Sequence, residues 1–255
     1  MRRITSQPEA IAALSEVIAA CERAVVFTGA GISTESGIPD FRSPSGLWTR
    51  MKPIQFQDFV RSREIRREAW TRRFEGEDTI AQASPNAGHR AVARLVEQGI
   101  VSAVVTQNVD GLHQLGGVPE EKLIEVHGTV RYCKCLSCGK RFENAEVRRI
   151  WAETHDAPDC DNCGGIIKAA TISFGQPMPE AEMERATIEA LSCDLMLAIG
   201  SSLVVYPAAG VPLTAKRNGA RLVILNREET ELDEAADLVI NAEIGPVLSA
   251  VAKVN

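Results

Sequence analysis

Residues 25–48 read VVFTGAGISTESGIPDFRSPSGLW, and the reading of this stretch decides the fold. It opens as a short apolar run, breaks at Gly29-Ala30-Gly31, and passes through Ser33, Thr34, Ser36 and Gly37 to Asp40-Phe41-Arg42. An apolar strand ending in Gly-x-Gly brings a dinucleotide pyrophosphate onto backbone N–H groups at a helix start. Glycines there permit the tight turn and remove Cβ atoms that would hold a phosphate away. The third glycine of the dinucleotide fingerprint is replaced by Thr34. No acidic residue follows about twenty positions on to take a ribose hydroxyl, as a hydride-transferring dehydrogenase requires. Residues 37–42 (GIPDFR) suit a loop better than a long helix.

Outward from this stretch the chain alternates strands and helices. Ile11, Leu14, Val17, Ile18 and Cys21 recur at three- and four-residue steps, so the spacing predicts a helix over 8–22, capped by Ser6 with Pro8 in its first turn. Residues 24–28 then form a buried parallel strand. Residues 44–77 loosen into Trp, Met and many arginines and read as a partly helical insert. Ser84-Pro85 opens a helix that ends at Gly99. Strands are expected at 101–106, 123–126, 195–199, 221–225 and 237–240, with helices at 179–191 and 207–218 and a last one after Gly245. Roughly six strands alternating with helices predict a doubly wound parallel α/β sheet. Ligands of such sheets collect beyond the carboxyl ends of the strands.

A cysteine-rich insert at 133–165 interrupts the rhythm. Cys135-x-x-Cys138 and Cys160-x-x-Cys163 each precede a glycine, Gly139 and Gly164, as a knuckle around a metal requires. Four thiolates make a closed tetrahedral shell, so zinc here is structural. Cys133-x-Cys135 offers a register shifted by two, whereas Cys21 and Cys193 lie on apolar faces as core residues.

The composition bounds the function. The chain has 255 residues, 45% hydrophobic and 24% charged, enough for one large domain or one and a half. A net charge of −6 disfavours direct nucleic-acid binding. No run of eighteen apolar residues offers a membrane span, and the N-terminus lacks a continuous signal-peptide core. Cysteines in metal-type pairs fit a reducing compartment, so the expected location is cytoplasmic.

The string GAGIST-ESGIPDFRS resembles the nucleotide loop of the sirtuins, the NAD-dependent protein deacylases. Residues 106–113 (TQNVDGLH) resemble their second signature, and residues 125–128 (EVHG) the segment of their catalytic histidine. Gly200-Ser201-Ser202 and Leu225-Asn226-Arg227 resemble two late ribose and phosphate contacts. The match runs from about residue 25 to 247, with the metal site between the third and fourth motifs.

The resemblance implies a Rossmann-like sheet domain of residues 1–43, 84–130 and 170–255. A small domain would combine a helical insert, 44–83, with a zinc-binding insert, 131–169, held by Cys135, Cys138, Cys160 and Cys163. NAD is then a consumed co-substrate, met by Gly29, Ala30, Gly31, Ser33, Asp40, Phe41, Arg42, Trp48, Gln107, Asn108, Asp110, Gly200, Ser201, Ser202, Asn226, Arg227 and Ile244. In the family reaction an acyl-lysine oxygen attacks the nicotinamide ribose, nicotinamide leaves, and the acyl group ends on ADP-ribose. His127 is the implied general base, and an imidazole near neutrality suits removal of a ribose proton. Asn108 and Asp110 join it, although an Asx turn closing the strand would also use them. His89 and His113 read as structural and His155 as surface. Phe174, Gly175 and Val204 resemble the edges that hold an acyl-lysine peptide as an added strand. Where the family commonly has Glu, this chain has Gln176.

Trp70-Thr71-Arg72-Arg73 keeps the spacing of the Tyr-x-x-Arg pair found in sirtuins that prefer acidic acyl groups, with Trp in place of Tyr. Arg73 could grip a carboxylate there. Alternatively, Trp70 and Phe74 pack one turn apart on an arginine-rich helix, and this second reading predicts deacetylation as the main activity. Two other functions fit the same motifs. An NAD glycohydrolase or mono-ADP-ribosyltransferase would release or transfer ADP-ribose without deacylation, and a non-catalytic NAD-sensing module would bind NAD without releasing nicotinamide.

Overall fold

The computed structural model describes residues 2–40, 46 and 51–253, the side chains of 75–79 excepted. Phe41, Arg42 and Trp48, expected at the nucleotide, lie outside the described residues. Ten strands are described: β1 (Arg2–Ile4), β2 (Ala24–Thr28), β3 (Val101–Thr106), β4 (Leu123–Glu125), β5 (Gly128–Cys135), β6 (Arg141–Glu143), β7 (Ile167–Thr171), β8 (Leu195–Ile199), β9 (Arg221–Leu225) and β10 (Leu238–Ile240). Seven of them form one sheet in the order β1-β10-β9-β8-β2-β3-β4, and every pairing in it is parallel.

Strand β2 shows why the sheet is buried on both sides. All five of its residues are buried, and period-two alternation sends Ala24 and Val26 to one core, Val25 and Phe27 to the other. The first core is covered by α1 (Gln7–Ala20), α4 (Ala87–Glu97) and α9 (Ile244–Ala252). The second is covered by α7 (Glu180–Ser192) and α8 (Gly210–Arg217). From β2 the chain winds to β3 and β4, then returns to β8 on β2's other side and continues to β9 and β10. The reversal of winding therefore falls between β2 and β8, where a doubly wound sheet opens its ligand crevice.

Strands β5, β6 and β7 make a separate antiparallel sheet in the order β6-β5-β7. It shares a core with the helical insert, which folds as α2 (Phe56–Arg61) and the twenty-residue α3 (Arg63–Gln82). Ser62 caps α3 by accepting the Ile65 N–H at 3.2 Å. Trp70, 2% exposed, stacks on Phe74 at 5.6 Å between centroids, and both pack with Cys133, Phe142 and Trp151. Arg63 also reaches Asp156 and Asp159 across this contact, but those pairs are exposed and screened, so the aromatic packing holds α3 in place. Strand β7 straddles the boundary expected at 169/170.

Several boundaries differ from the sequence reading for local reasons. Ser6 is the N-cap of α1, yet its side chain makes no capping bond. Helix α4 starts later than Ser84-Pro85, because Asn86 caps it, accepting the Gly88 N–H at 2.8 Å. Strands β1 and β5–β7 differ from the sequence reading, which expected no strand there; β1 exposes Arg2 and Arg3 on the sheet's edge and so carries no apolar run. Among the described residues no helix is long and apolar enough to cross a membrane.

Trp70→Ala should cost about 3–5 kcal/mol, the usual loss for a fully buried aromatic, measured by denaturant unfolding. If Trp70 served an acyl pocket instead, stability would hold while acyl-chain preference changed.

Candidate active site

The polar motifs meet at the carboxyl edge, and backbone packing brings them together. The Gly29 N–H donates to Ile199 O at 3.1 Å, and the Gly31 N–H donates to Gly200 O at 2.7 Å. A Cβ added at Gly31 would stand 2.8 Å from Gly200 Cα, and one at Gly29 would stand 2.7 Å from Ser201 Cβ. These glycines therefore let the loop after β2 lie directly on the loop after β8. The segment that follows is a 3₁₀ helix, Ala30–Ser36, ended by Gly37 at φ 85°.

Gln107 continues β3 by donating its N–H to Thr28 O at 3.0 Å, and its amide nitrogen donates to Ser201 Oγ at 2.8 Å. Asn108 donates from its side chain to Gly29 O at 3.1 Å and Ser33 Oγ at 3.2 Å. Ser33 passes its own proton to Asp110 Oδ2 at 2.8 Å. The other oxygen of Asp110 accepts the Leu112 N–H at 2.9 Å, the Asx turn anticipated from the sequence. Burial raises the Asp110 carboxyl above its ordinary range against these donors. Hydrogen bonds thus join Gly29, Asn108, Ser33 and Asp110 in one network, and the adjacent Gln107 to Ser201.

His127 stands half-buried just beyond β4, its Nδ1 3.1 Å from Gln107 O. A carbonyl only accepts, so Nδ1 carries the proton and Nε2 carries the lone pair. Gly128 follows at φ 71° and lies too close to Ala170 O for any side chain.

Beneath these residues lies a layer that the sequence reading treated as structural. Thr28 Oγ1 bonds Thr106 Oγ1 at 2.8 Å and His113 Nε2 at 2.9 Å, and Thr106 Oγ1 accepts the Asn108 N–H at 3.0 Å. His89 closes the cap of α4 by accepting the Asn86 N–H at 3.3 Å and lies against Ser33 Oγ at 3.5 Å. Burial lowers His113 to about 3 and His89 to about 4, so both rings are neutral at pH 7. Both have polar partners under the site, which sequence alone did not supply. Two threonines ending neighbouring apolar strands were the available signal.

The remaining candidates fall into two places. Asn226, after β9, donates to Glu228 O at 2.8 Å, Arg227 pairs with Glu243 at 2.8 Å, and Ile244 begins α9, whose Gly245 N–H is taken by Glu35 at 2.9 Å. Ala30 and Gly31 open the 3₁₀ helix, Asp40 follows it beyond Gly37, and Ser202 follows Ser201. Toward the small sheet, Phe174 is 38% exposed, its carbonyl accepts the Phe56 N–H at 2.8 Å, and Gly175 sits at φ 78°. Gln176 closes this turn by accepting the Ser173 N–H at 3.2 Å, and Val204 is half-buried on the loop after β8. Trp70 and Arg73 are not brought to the site as ligand groups. Trp70 is in the small core, and the Arg73 guanidinium donates to Val130 O at 2.9 Å and Asn144 Oδ1 at 2.8 Å.

The Sγ atoms of Cys135, Cys138, Cys160 and Cys163 lie within 4.8 Å of one another. The Cys135–Cys163 and Cys138–Cys160 separations are 3.5 and 3.7 Å, near the ~3.8 Å edge that tetrahedral Zn–S bonds of about 2.3 Å impose. Backbone N–H donors hold the Cys138 thiol down to about 6, while neighbouring thiols and burial push Cys163 up to about 12. Four thiolates this close need a divalent cation to coexist, so the donor set fits structural zinc. Cys133 lies outside the group, buried with its thiol 3.5 Å from Asn144 Oδ1, which settles the register on the two C-x-x-C pairs.

A model of the Sir2 family matches residues 29–207. The chain belongs to the Sir2 family. It is 56% identical over 235 residues to "NAD-dependent protein deacetylase 1" of Bradyrhizobium diazoefficiens, covering 92% of each chain. It is 44% identical over 243 residues to "NAD-dependent protein deacetylase" of Thermodesulfovibrio yellowstonii, covering 95% of this chain and 94% of that one. Among solved structures, a Sir2 complex with a p53 peptide and NAD+ superposes with a TM-score of 0.84 at 36% identity, covering 94% of this chain and 96% of that one. A Sir2 variant with a deacetylated p53 peptide and 3′-O-acetyl ADP-ribose gives 0.88 at 35% identity, covering 95% and 97%. In this sirtuin the parallel sheet, the cysteine cluster and the carboxyl-edge network form the expected Rossmann-like architecture.

Replacing Cys135 and Cys160 by Ser should remove zinc and lower the melting temperature together, because metal binding contributes folding free energy in such modules. A metal-free variant with unchanged melting temperature would contradict the structural role.

Proposed function

We propose that this sirtuin removes acyl groups, mainly acetyl, from lysine side chains of proteins with NAD as co-substrate. The observation that carries the reading is the convergence of His127, Asn108, Asp110 and the paired loops after β2 and β8 at one sheet edge. When bound, NAD would supply an ADP-ribosyl group that takes the acyl oxygen as the bond to nicotinamide breaks; one water is then consumed as the acyl–nitrogen bond breaks, giving O-acyl-ADP-ribose and free lysine.

His127 acts as general base through Nε2, since Gln107 O fixes the proton on Nδ1. Asn108, Asp110 and Ser33 hold the nicotinamide end, already oriented by their mutual hydrogen bonds. Gly29, Ala30 and Gly31 carry the phosphates with Ser201 and Ser202, while Asn226, Arg227 and Ile244 meet the adenosine end. Gln107, Asp40, Phe41, Arg42 and Trp48 complete the nucleotide site by family resemblance. Phe174, Gly175 and Val204 pair with an extended acyl-lysine peptide through backbone contacts that ask little of its sequence. Gln176, committed to the Ser173 N–H, brings no charge to that edge.

A neutral acyl group suits this site, because Arg73 Nη2 is engaged by Val130 O and Asn144 Oδ1 in the small domain. We assign residues 1–43, 84–130 and 170–255 to the NAD-binding domain, and 44–83 with 131–169 to a small domain. Thiolate ligands favour a reducing compartment, which supports a cytoplasmic location.

Incubation with NAD and an acetyl-lysine peptide should yield nicotinamide and deacetylated peptide in equal amounts, and free ADP-ribose without deacetylation would favour a glycohydrolase. His127→Ala should cut turnover about 10²–10⁴-fold while calorimetric NAD affinity persists. Equal loss of binding would make His127 structural.

A further inference from the structure

One buried charge has no part in the chemistry above. Lys168, on β7, is 4% exposed, and among the described residues its hydrogen-bond acceptors are carbonyl oxygens, not carboxylates. Its ammonium donates to Thr171 O at 2.5 Å and to Ala169 O at 3.4 Å. Strand β7 is an edge of the small sheet, and these two carbonyls, two residues apart, point the same way along it. The Thr171–Ile172 peptide that Lys168 grips at its oxygen is gripped at its nitrogen by the catalytic segment, since the Ile172 N–H donates to His127 O at 2.8 Å.

We propose that Lys168 is a positioning residue for His127, acting through the Thr171–Ile172 peptide; this rests on the deacetylase reading above. The ladder makes such support necessary. Strand β5 is in register with β7 at Gly128↔Thr171 and again at Cys133↔Ala169, so β5 carries three extra residues between the two pairings. That bulge leaves the backbone beside His127 short of ordinary pairing. The Val130 N–H goes instead to Val109 O at 2.9 Å, and Val130 O receives Arg73 at 2.9 Å and Asn144 at 2.8 Å. Lys168 secures the facing strand. For stability alone, an apolar side chain of similar length would serve a buried position better than an ammonium.

The groups facing Lys168 are Arg73 of α3, the Phe59 ring of α2 at 6.0 Å, and Cys133 of β5. Burial first and Arg73 second lower its ammonium to about 8, with Cys133 opposing. Below pH 8 the grip on Thr171 O is charge-assisted, and above it a weaker neutral donor remains.

Lys168→Met should lower kcat for deacetylation on the order of tenfold to a hundredfold, as small misplacements of a catalytic group do, with KM for NAD and peptide unchanged. Lys168→Arg, which stays charged, should keep most of the rate and lack the fall in kcat above about pH 8 expected of the native chain. Independently of turnover, the His127 imidazole NMR signal of the native chain should report an inflection near pH 8 that is missing in Lys168→Met. Wild-type kcat in Lys168→Met, or an identical His127 titration in both chains, would overturn the positioning role while leaving the deacetylase reading intact. Absence of turnover by the native chain would overturn both. If neither variant folds, an inflection near pH 8 in the native His127 signal supports the role and its absence overturns it.

Discussion

The structure depends on a contact between two loop backbones. Gly29-Ala30-Gly31 lies against Gly200 with Gly31 N to Gly200 O at 2.7 Å, leaving no room for a Cβ on either glycine of the first loop. The contact spans the point where the winding of the sheet reverses, between β2 and β8. It thus closes the crevice at its base and sets where Ser33 and Ser201 stand. Gln107 then bridges the loops after β3 and β8, and Asn108 reaches back to Gly29 O. His127 enters last, its ring turned by the Gln107 carbonyl. Asn108 and His127 are each oriented by a backbone oxygen of a neighbouring loop, whereas Ser33, Gln107 and Asp110 are held by side chains, so the candidate site is preorganised by its own hydrogen bonds.

The layer beneath explains how polar chemistry survives in a buried place. Thr28, Thr106, His89 and His113 are almost completely enclosed, and a buried polar group without a partner costs about 1–3 kcal/mol. Here the two threonine hydroxyls bond each other and Thr28 bonds His113 Nε2, while His113 Nδ1 finds no partner among the described residues; both histidines stay neutral because burial opposes their charge. A neutral floor places no charge beneath the Asp110 carboxyl, which burial raises.

Much of this was legible in the sequence because it resides in local pattern. The apolar runs of β2, β3, β8 and β9 and the glycine and C-x-x-C spacings survive translation into structure nearly unchanged. What was not legible depends on contacts between distant segments. The packing constraint on Gly31 could not be read, because its steric neighbour, Gly200, lies far along the chain. Trp70 and Arg73 had the spacing of an acyl-recognition pair, yet the cysteine-rich insert covers one and occupies the other. Strands β5 to β7 escaped notice because the register shift between β5 and β7 and the cysteine pairs around the metal knuckle leave no clean period. His89 and His113 looked unpartnered because their partners end other strands or cap another helix.

The central claim, that loop-on-loop packing builds the nucleotide site, is tested most directly by the thermal midpoint of Gly31→Ala without NAD. The added methyl meets backbone atoms of Gly200 at 2.8 Å, which cannot move aside like a flexible side chain. The account predicts a lower midpoint, reflecting about 1–3 kcal/mol of overpacking, together with weakened NAD binding. An unchanged midpoint with weakened NAD binding would contradict it, because the glycine would then serve the nucleotide and not the fold.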